Sequence, residues 1–220
     1  MPVAPLRIAH RGMPRRLREN TLPSFAEALA HGAQGIELDV HATADGMVVV
    51  HHDAWTAEGL EIARTKWNEL RRDTLGGISI PTLASVCELV GDRAELFVEI
   101  KGAAIEEPVL RVLGGHSGPK AIHSFDHAMI GRIAKLDPTI RLGLLFEEQV
   151  ADVGAMLTAH GARDAWPHHS LADARMIDEV HALEGRVIVW TVNAPRDVRR
   201  VAALGVDGIC TDDVTLLDDR

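Results

Sequence analysis

Short apolar runs alternate with amphipathic stretches along this chain, and the alternation limits its fold more than any other feature. Eight runs have the length and composition of buried strands, and they lie at residues 6–10, 35–40, 96–101, 121–125, 141–146, 164–169, 186–192 and 206–211. Most intervening stretches show helical spacing; in residues 83–90, apolar side chains share one face, and Gly91 follows as a stop signal. Strands that alternate with helices form βα units and therefore a parallel sheet.

Eight βα units predict a (β/α)8 barrel, the TIM barrel of the α/β class, and the 220 residues of the chain are enough for one. A doubly wound parallel sheet is the alternative arrangement. The Asp45-Gly46 pair is a hairpin signal, so residues 47–52 are expected to return antiparallel to the second strand, as an extra strand outside the eight. The sequence has no low-complexity tract and no linker, which indicates one domain over residues 1–220.

Charge and composition exclude several classes of partner. The formal net charge is −9 and the isoelectric point about 5.7, whereas a protein that binds a nucleic-acid backbone is expected to be basic. No apolar run approaches the ~18 residues of a membrane helix, and Arg7 interrupts the apolar stretch that a signal peptide would need. We interpret Cys87 and Cys210 as buried thiols, and we expect a cytoplasmic protein without stable membrane insertion. The oligomeric state is left open.

Three carboxylates and a lysine stand at matching positions on neighbouring predicted strands. Glu37 and Asp39 are two residues apart, so both point to one face of the second strand, and Glu99 and Lys101 repeat that spacing on the next parallel strand. Carboxylates this close do not all ionise easily without a cation. Three oxygen ligands at the mouth of a barrel are typical of a hard divalent ion, Mg²⁺ or Ca²⁺. For any one of them, a salt bridge to a neighbouring arginine or lysine is the alternative.

Two histidines end strands beside this predicted metal site. His10 ends the first strand and His52 ends the returning strand, and the catalytic residues of TIM barrels come from strand ends. A lone histidine there is commonly structural, but two that flank a metal site indicate a general acid and a general base. The site would combine three carboxylates with a divalent ion, Arg11 and Lys101. Its net charge would then be about +1. That balance suits the single negative charge of a phosphodiester.

A series of short motifs then matches a known family, in order along nearly the whole chain. The motifs are "AHRG" (9–12), "ENTLPSFAEALAHGAQGIELDV" (19–40), "HD" (52–53), "IPTL" (80–83), "VEIK" (98–101), "SFD" (124–126), "WTVN" (190–193) and "GVDGICTD" (205–212). Each motif is weak alone, but together they are specific. By them the chain resembles the glycerophosphodiester phosphodiesterases.

The resemblance implies a barrel of the phospholipase-C-like phosphodiesterase type. It also implies hydrolysis of glycerophosphodiesters, such as glycerophosphocholine, to glycerol 3-phosphate and an alcohol. It assigns catalysis to His10 and His52, metal binding to Glu37, Asp39 and Glu99, and substrate binding to Arg11, Lys101 and Trp190. For Trp190, which would line the glycerol pocket, a place in the barrel core is the alternative. Strand alternation lets only one histidine of the doublet at 51–52 face the site, and the "HD" match selects His52.

Two departures from the family pattern affect which family properties can be expected of this chain. Arg18 stands where the family usually has proline, which changes local stiffness and no ligand. Residues 53–80 are shorter than the family's usual insertion at this place, so the preference for the leaving alcohol is the least certain expectation. Asp212 and Asp213 follow the last strand, and we expect both to cap the next helix.

Two other functions remain open on the sequence. A phospholipase-D-like lipid hydrolase of the same barrel type would need access to a membrane, yet the chain has no tyrosine and only four phenylalanines as interfacial anchors. A catalytically silent barrel that binds a phosphate ligand would not need an acid/base pair of histidines.

Overall fold

The structure, a computed structural model, describes residues 4–72, 74–75 and 77–218. In chain order the strands are β1 (Leu6–His10), β2 (Gly35–Ala42), β3 (Val48–Val50), β4 (Thr74–Leu75), β5 (Ile78–Ser79), β6 (Glu95–Ile100), β7 (Lys120–Ser124), β8 (Arg141–Phe146), β9 (Asp164–Pro167), β10 (Ile188–Val189) and β11 (Gly208–Thr211). The α-helices are α1 (Leu22–Ala30), α2 (Trp67–Leu70), α3 (Leu83–Val90), α4 (Glu106–Gly114), α5 (His127–Leu136), α6 (Val153–His160), α7 (Ala174–His181) and α8 (Pro195–Leu204).

Eight parallel strands form the barrel that the alternation predicts. Their order is β10-β11-β1-β2-β6-β7-β8-β9, and every neighbouring pair along it is parallel. Two single bridges, Ala165↔Val187 and His168↔Trp190, join β9 to the residues that flank β10 and so bring the two ends of the sheet together. The prediction of a TIM barrel is confirmed, and the doubly wound alternative is wrong.

The extra return strand is also present, although it is shorter than expected. β3 pairs antiparallel with β2, with Val40 opposite Val50 and Ala42 opposite Val48. The predicted strand extended to residue 52, but the pairing ends at Val50. The doublet that follows lies in a loop, which places His51 and His52 beside the ends of the barrel strands.

The barrel interior is filled by its own apolar cluster, separate from the larger core between strands and helices. Its buried members come from seven of the eight barrel strands: Ile8, Phe97, Ala121, Leu145, Trp166, Ile188 and Cys210. The rings of Phe97 and Trp166 meet edge to face at 5.2 Å. This packed interior is a rigid floor for the side chains above it.

Both cysteines are free and buried, as the sequence indicates. Burial raises the pKa of Cys87 to about 11, and burial with nearby carboxylates raises that of Cys210 as well. Within the described part of the chain, none of the helices has the length and apolar character needed to cross a membrane.

Candidate active site

A cavity of about 550 Å³, including its open mouth, lies at the carboxyl ends of the barrel strands. Seven of the eight residues that the sequence singles out line it: His10, Arg11, Glu37, His52, Glu99, Lys101 and Trp190. The eighth, Asp39, is fully buried directly behind the wall, opposite Glu99 in the ladder between β2 and β6. His123 and Phe125 also line the cavity, and the sequence analysis did not select them.

The turn after β1 positions the first two site residues. Arg11 and Gly12 both have positive φ, 54° and 92°, so the chain reverses sharply after His10. A Cβ on Gly12 would lie 2.4 Å from the side-chain oxygen of Ser24 and 2.9 Å from its backbone carbon, so only glycine fits there. The backbone N–H of Arg11 donates to Glu37 Oε2 at 3.1 Å, which ties this turn to β2.

His10 is held by a carboxylate that the sequence analysis assigned to a different task. Its Nδ1 lies 2.7 Å from Asp212 Oδ1, and Asn193 Nδ2 donates to Asp212 Oδ2 at 2.6 Å. The expectation that Asp212 caps a helix is therefore wrong. Asp213 alone caps the following 3-10 turn, where it accepts from Thr215 N at 3.0 Å. Asp212 orients the imidazole so that Nε2 is the nitrogen left for the cavity.

His52 has an equivalent partner in its sequence neighbour. His52 Nδ1 lies 2.7 Å from Asp53 Oδ1, and the backbone oxygen of His52 is 3.1 Å from His41 Nε2. His51 makes a contact with the Asp53 backbone oxygen and lines a separate neighbouring cavity. Of the doublet, the structure therefore brings His52 to the main cavity, as the "HD" match selects.

Asp39 is fixed by a buried asparagine from the turn before α1. Asn20 Nδ2 donates to Asp39 Oδ2 at 2.8 Å, and Arg11 Nε lies 3.1 Å from the same oxygen. The other oxygen, Oδ1, makes no hydrogen bond within the described residues, and Lys101 Nζ is 3.9 Å from it. Asn20 belongs to the "ENT" stretch of the family pattern. The sequence alone does not predict that its side chain holds Asp39.

Three buried side chains form a group that could hold a metal ion. Glu37, Glu99 and His123 each offer one ligand atom, and these atoms lie within 4.8 Å of one another. Two carboxylates and an imidazole, with the unpaired Oδ1 of Asp39 beside them, are donors that fit a divalent cation. Position on a strand was the one signal that could have found His123: it faces inward within the "AIHSF" run.

The sequence and the fold were then compared with known proteins. The sequence model of the glycerophosphoryl diester phosphodiesterase family matches residues 10–216. This chain belongs to that family. The glycerophosphodiester phosphodiesterase of Caldanaerobacter subterraneus subsp. tengcongensis is 32% identical, over 94% of this chain and 93% of the relative.

Solved structures show the same fold. The glycerophosphodiester phosphodiesterase of Thermotoga maritima superposes with a TM-score of 0.85 at 26% identity, over 97% of each chain. An Oleispira antarctica phosphodiesterase, solved with its product sn-glycerol-3-phosphate, superposes with a TM-score of 0.89 at 24% identity, over 98% of this chain and 96% of the other. The protein is thus an enzyme, a phosphodiesterase of this family.

In this phosphodiesterase the two cavity carboxylates are in different electrostatic environments. Burial alone would raise the pKa of Glu37, but its contact with His123 and the charge of His10 outweigh that effect and lower it. Burial and the charge of Asp39 raise the pKa of Glu99, against the opposing effect of Lys101, whose Nζ is 3.0 Å away. A bound cation would favour the ionised form of both carboxylates.

His10 is biased toward its charged form. Burial lowers its pKa, but the hydrogen bond to Asp212 and the charge of Glu37 more than offset that effect, so the pKa is raised. On the other side, the charges of Asp39 and Glu37 raise the pKa of Arg11 in spite of its burial. The cavity is therefore lined by the charged guanidinium of Arg11 and by an imidazole, His10, whose protonated form is favoured by its surroundings.

Trp190 and Phe125 form an aromatic wall of the cavity. Their rings meet edge to face at 5.6 Å, and Lys101 Nζ lies 6.0 Å from the centre of the Phe125 ring. The indole N–H of Trp190 donates to the backbone oxygen of Trp166 at 2.8 Å. Trp190 thus offers a ligand its apolar surface and no hydrogen-bond donor.

Proposed function

We propose that this phosphodiesterase hydrolyses glycerophosphodiesters to glycerol 3-phosphate and an alcohol, with a divalent cation and the pair His10 and His52 as acid and base. The observation that carries the proposal is the arrangement of these two histidines around one cavity. Each has a carboxylate on Nδ1, and the buried carboxylates Glu37 and Glu99 line the same cavity. The names of the relatives at similar length support the class of substrate.

The cation would be held by Glu37, Asp39 and Glu99, with Mg²⁺ or Ca²⁺ expected from the carboxylates alone. When bound, it would offset the negative charge that develops on the phosphoryl oxygens. Arg11 and Lys101 line the cavity and would bind the phosphate, and the apolar wall at Trp190 would pack against the glycerol. The glycerophosphate half of the substrate is thus bound by charge and by shape.

We assign the acid role to His10, because Asp212 and Glu37 favour its protonated form. Its Nε2 would give a proton to the leaving alcohol. His52, held by Asp53, would accept a proton from the attacking nucleophile through its own Nε2. Free buried thiols suit a reducing compartment, so we also propose a cytoplasmic reaction on water-soluble diesters.

Chelation tests the role of the cation. Exhaustive treatment with EDTA should abolish the hydrolysis of glycerophosphocholine, and added Mg²⁺ or Ca²⁺ should restore it, because the carboxylates cannot by themselves stabilise negative charge on the phosphate. Full activity after the cation has been removed would contradict this role.

Three matched variants test the histidines. His10→Ala and His52→Ala should each lower kcat by about 10²–10⁴-fold, the usual contribution of a general acid or base. His51→Ala should cost much less, because its ring lines the neighbouring cavity. An equal loss in His51→Ala and His52→Ala, with the fold intact in both, would show that the wrong member of the doublet has been assigned.

A further inference from the structure

His123 is an unusual residue for the interior of a barrel. It lies on β7, directly opposite Glu99 on β6, and only 1% of its surface is exposed. Its ring stacks on that of Trp166, with the centres 4.2 Å apart and the planes at 7°. The stack fixes the plane of the imidazole, so its nitrogens have defined directions.

The polar contacts of this imidazole are incomplete. Nε2 lies 3.8 Å from Glu37 Oε1, which is longer than a hydrogen bond, and Nδ1 has no hydrogen-bond partner among the described residues. A buried polar atom without a partner is destabilising, so a purely structural histidine would be expected to satisfy it. Packing on Trp166 alone does not explain why this position carries nitrogen.

The position of the ring relative to the carboxylates supplies an explanation. The ligand atoms of His123, Glu37 and Glu99 lie within 4.8 Å of one another, a separation that an ion about 2.0–2.6 Å from each atom can bridge. A nitrogen ligand changes which ions such a site prefers. Imidazole suits borderline cations such as Co²⁺ and Zn²⁺, and as a transition ion Mn²⁺ also accepts a nitrogen ligand more readily than Mg²⁺ or Ca²⁺, which take oxygen ligands.

We propose that His123 is a direct nitrogen ligand of the cation in this cavity, and that it shifts the preference of the site toward borderline divalent ions. The inference rests on the proposed function, because that function places a cation here. It adds a ligand to the three carboxylates. It also predicts that the site binds Co²⁺ and Mn²⁺ more tightly than Mg²⁺ and Ca²⁺.

Spectroscopy of the bound ion tests this ligand without reference to activity. The metal-free full chain would be loaded with one equivalent of Mn²⁺ and its electron spin echo envelope recorded. The wild type should show modulation from a directly coordinated imidazole ¹⁴N, and His123→Gln should lack it. His127→Gln is the matched control: that imidazole is near in sequence but contacts the Leu145 backbone oxygen and the Phe146 ring, and its loss should leave the modulation unchanged.

Calorimetric titration with each ion gives the second measurement. His123→Gln should lower the affinity for Co²⁺ and Mn²⁺ by tenfold or more and change the affinity for Mg²⁺ by less than about threefold. Loss of a group that merely supports a metal ligand already lowers metal affinity by ~10–100-fold. Absence of ¹⁴N modulation in the wild type overturns the inference whether or not the variant folds. So does modulation that persists in folded His123→Gln, since the nitrogen would then come from another histidine.

The two proposals fail in different ways. Binding of Mn²⁺ at Glu37 and Glu99 without nitrogen would remove His123 from the site and leave the cation of the proposed function in place. Failure of Mn²⁺, Co²⁺, Mg²⁺ and Ca²⁺ to bind at all would overturn both. If the bound ion shows nitrogen coordination but the enzyme does not cleave glycerophosphodiesters, His123 remains a metal ligand. Only the proposed substrate is then overturned.

Discussion

The hydrogen bond between His10 and Asp212 connects the ends of the first and last strands of the barrel. The two residues are 202 positions apart in sequence, and Asn193 holds the far oxygen of the carboxylate. One carboxylate thereby fixes the direction of the imidazole and stabilises its charged form. In the proposed function Asp212 is a positioning residue, because it would act on the reaction through His10.

Asp212→Asn should change the pH dependence of the enzyme. The hydrogen bond to Asp212 raises the pKa of His10, so removal of its charge should lower that pKa. If protonated His10 is the acid, the alkaline limb of the kcat profile should move to lower pH. At pH 8, kcat should fall by about tenfold, less than the ~10²–10⁴-fold expected for loss of the imidazole itself. The profile of kcat against pH is the measurement.

Asp213→Asn is the matched control for this variant. Asparagine is as good an N-cap as aspartate, and Asp213 does not contact His10, so its profile should match that of the wild type. If the alkaline limb of the kcat profile moves in both Asp212→Asn and Asp213→Asn, the cause is a general change of charge at this end of the barrel. An unmoved limb in Asp212→Asn would show that His10 is not the group that titrates.

At the level of elements, we expect the segment between β3 and α3 to form the side of the site that faces the leaving alcohol. α2 and a short 3-10 turn pack on β3 through a small cluster that comprises Val49, Ile62, Leu70 and Ile80. A second cavity of about 600 Å³ is lined by Asp53, Trp55, Thr56 and Ala57 of this segment, and it shares His52 with the first cavity. Trp55 stands at its edge with 54% of its surface exposed. This wall is short.

Such a wall should discriminate little between alcohols. In the proposed function the charged groups and Trp190 bind the glycerophosphate half of the substrate, so we expect a strict demand for that half and a loose one for the alcohol. The values of kcat/KM for glycerophosphocholine, glycerophosphoethanolamine and glycerophosphoglycerol should lie within about tenfold, roughly 1.4 kcal/mol. Bis(p-nitrophenyl) phosphate should be much poorer, and Trp55→Ala should leave the order unchanged. A hundredfold preference for one alcohol would show that residues 53–80 do build a selective wall.

At the level of the whole molecule, the sequence predicts the barrel and most of the cavity because both depend on local patterns. Strand and helix periodicity repeat along the chain, and the spacing of Glu37 and Asp39 fixes their common face. Asp212 is misread as a helix cap and His123 is not selected, because their partners are distant in sequence. Only the closed barrel brings Asp212 to His10, and brings His123 between Glu37 and Trp166.

A partly buried network of charges lies at the opposite end of the barrel. Asp164, at the start of β9, is fully buried and accepts hydrogen bonds from the guanidinium groups of Arg141 and Arg186. Arg186 also forms a pair with Glu95, at the start of β6, at 2.8 Å. These residues lie at the amino ends of barrel strands or just before them, far from the cavity. In TIM barrels generally, residues at this end contribute to stability and residues at the other end to catalysis.

Asp164→Asn should therefore lower stability and leave the chemistry intact. The variant leaves two guanidinium groups without their buried counter-charge, and removal of one partner from a buried ion pair costs about 3–5 kcal/mol. For a chain of this size, that loss corresponds to a Tm lower by about 6–20 °C. Calorimetry measures the shift, and kcat per folded molecule should stay within twofold of the wild type. Glu95→Gln removes the other carboxylate of the same network and should cost less than Asp164→Asn, because Arg186 keeps Asp164 as its counter-charge. An Asp164→Asn variant that is as stable as the wild type would show that the desolvation of this network cancels its attraction. A large fall in kcat with the fold intact would contradict the separation of the two ends.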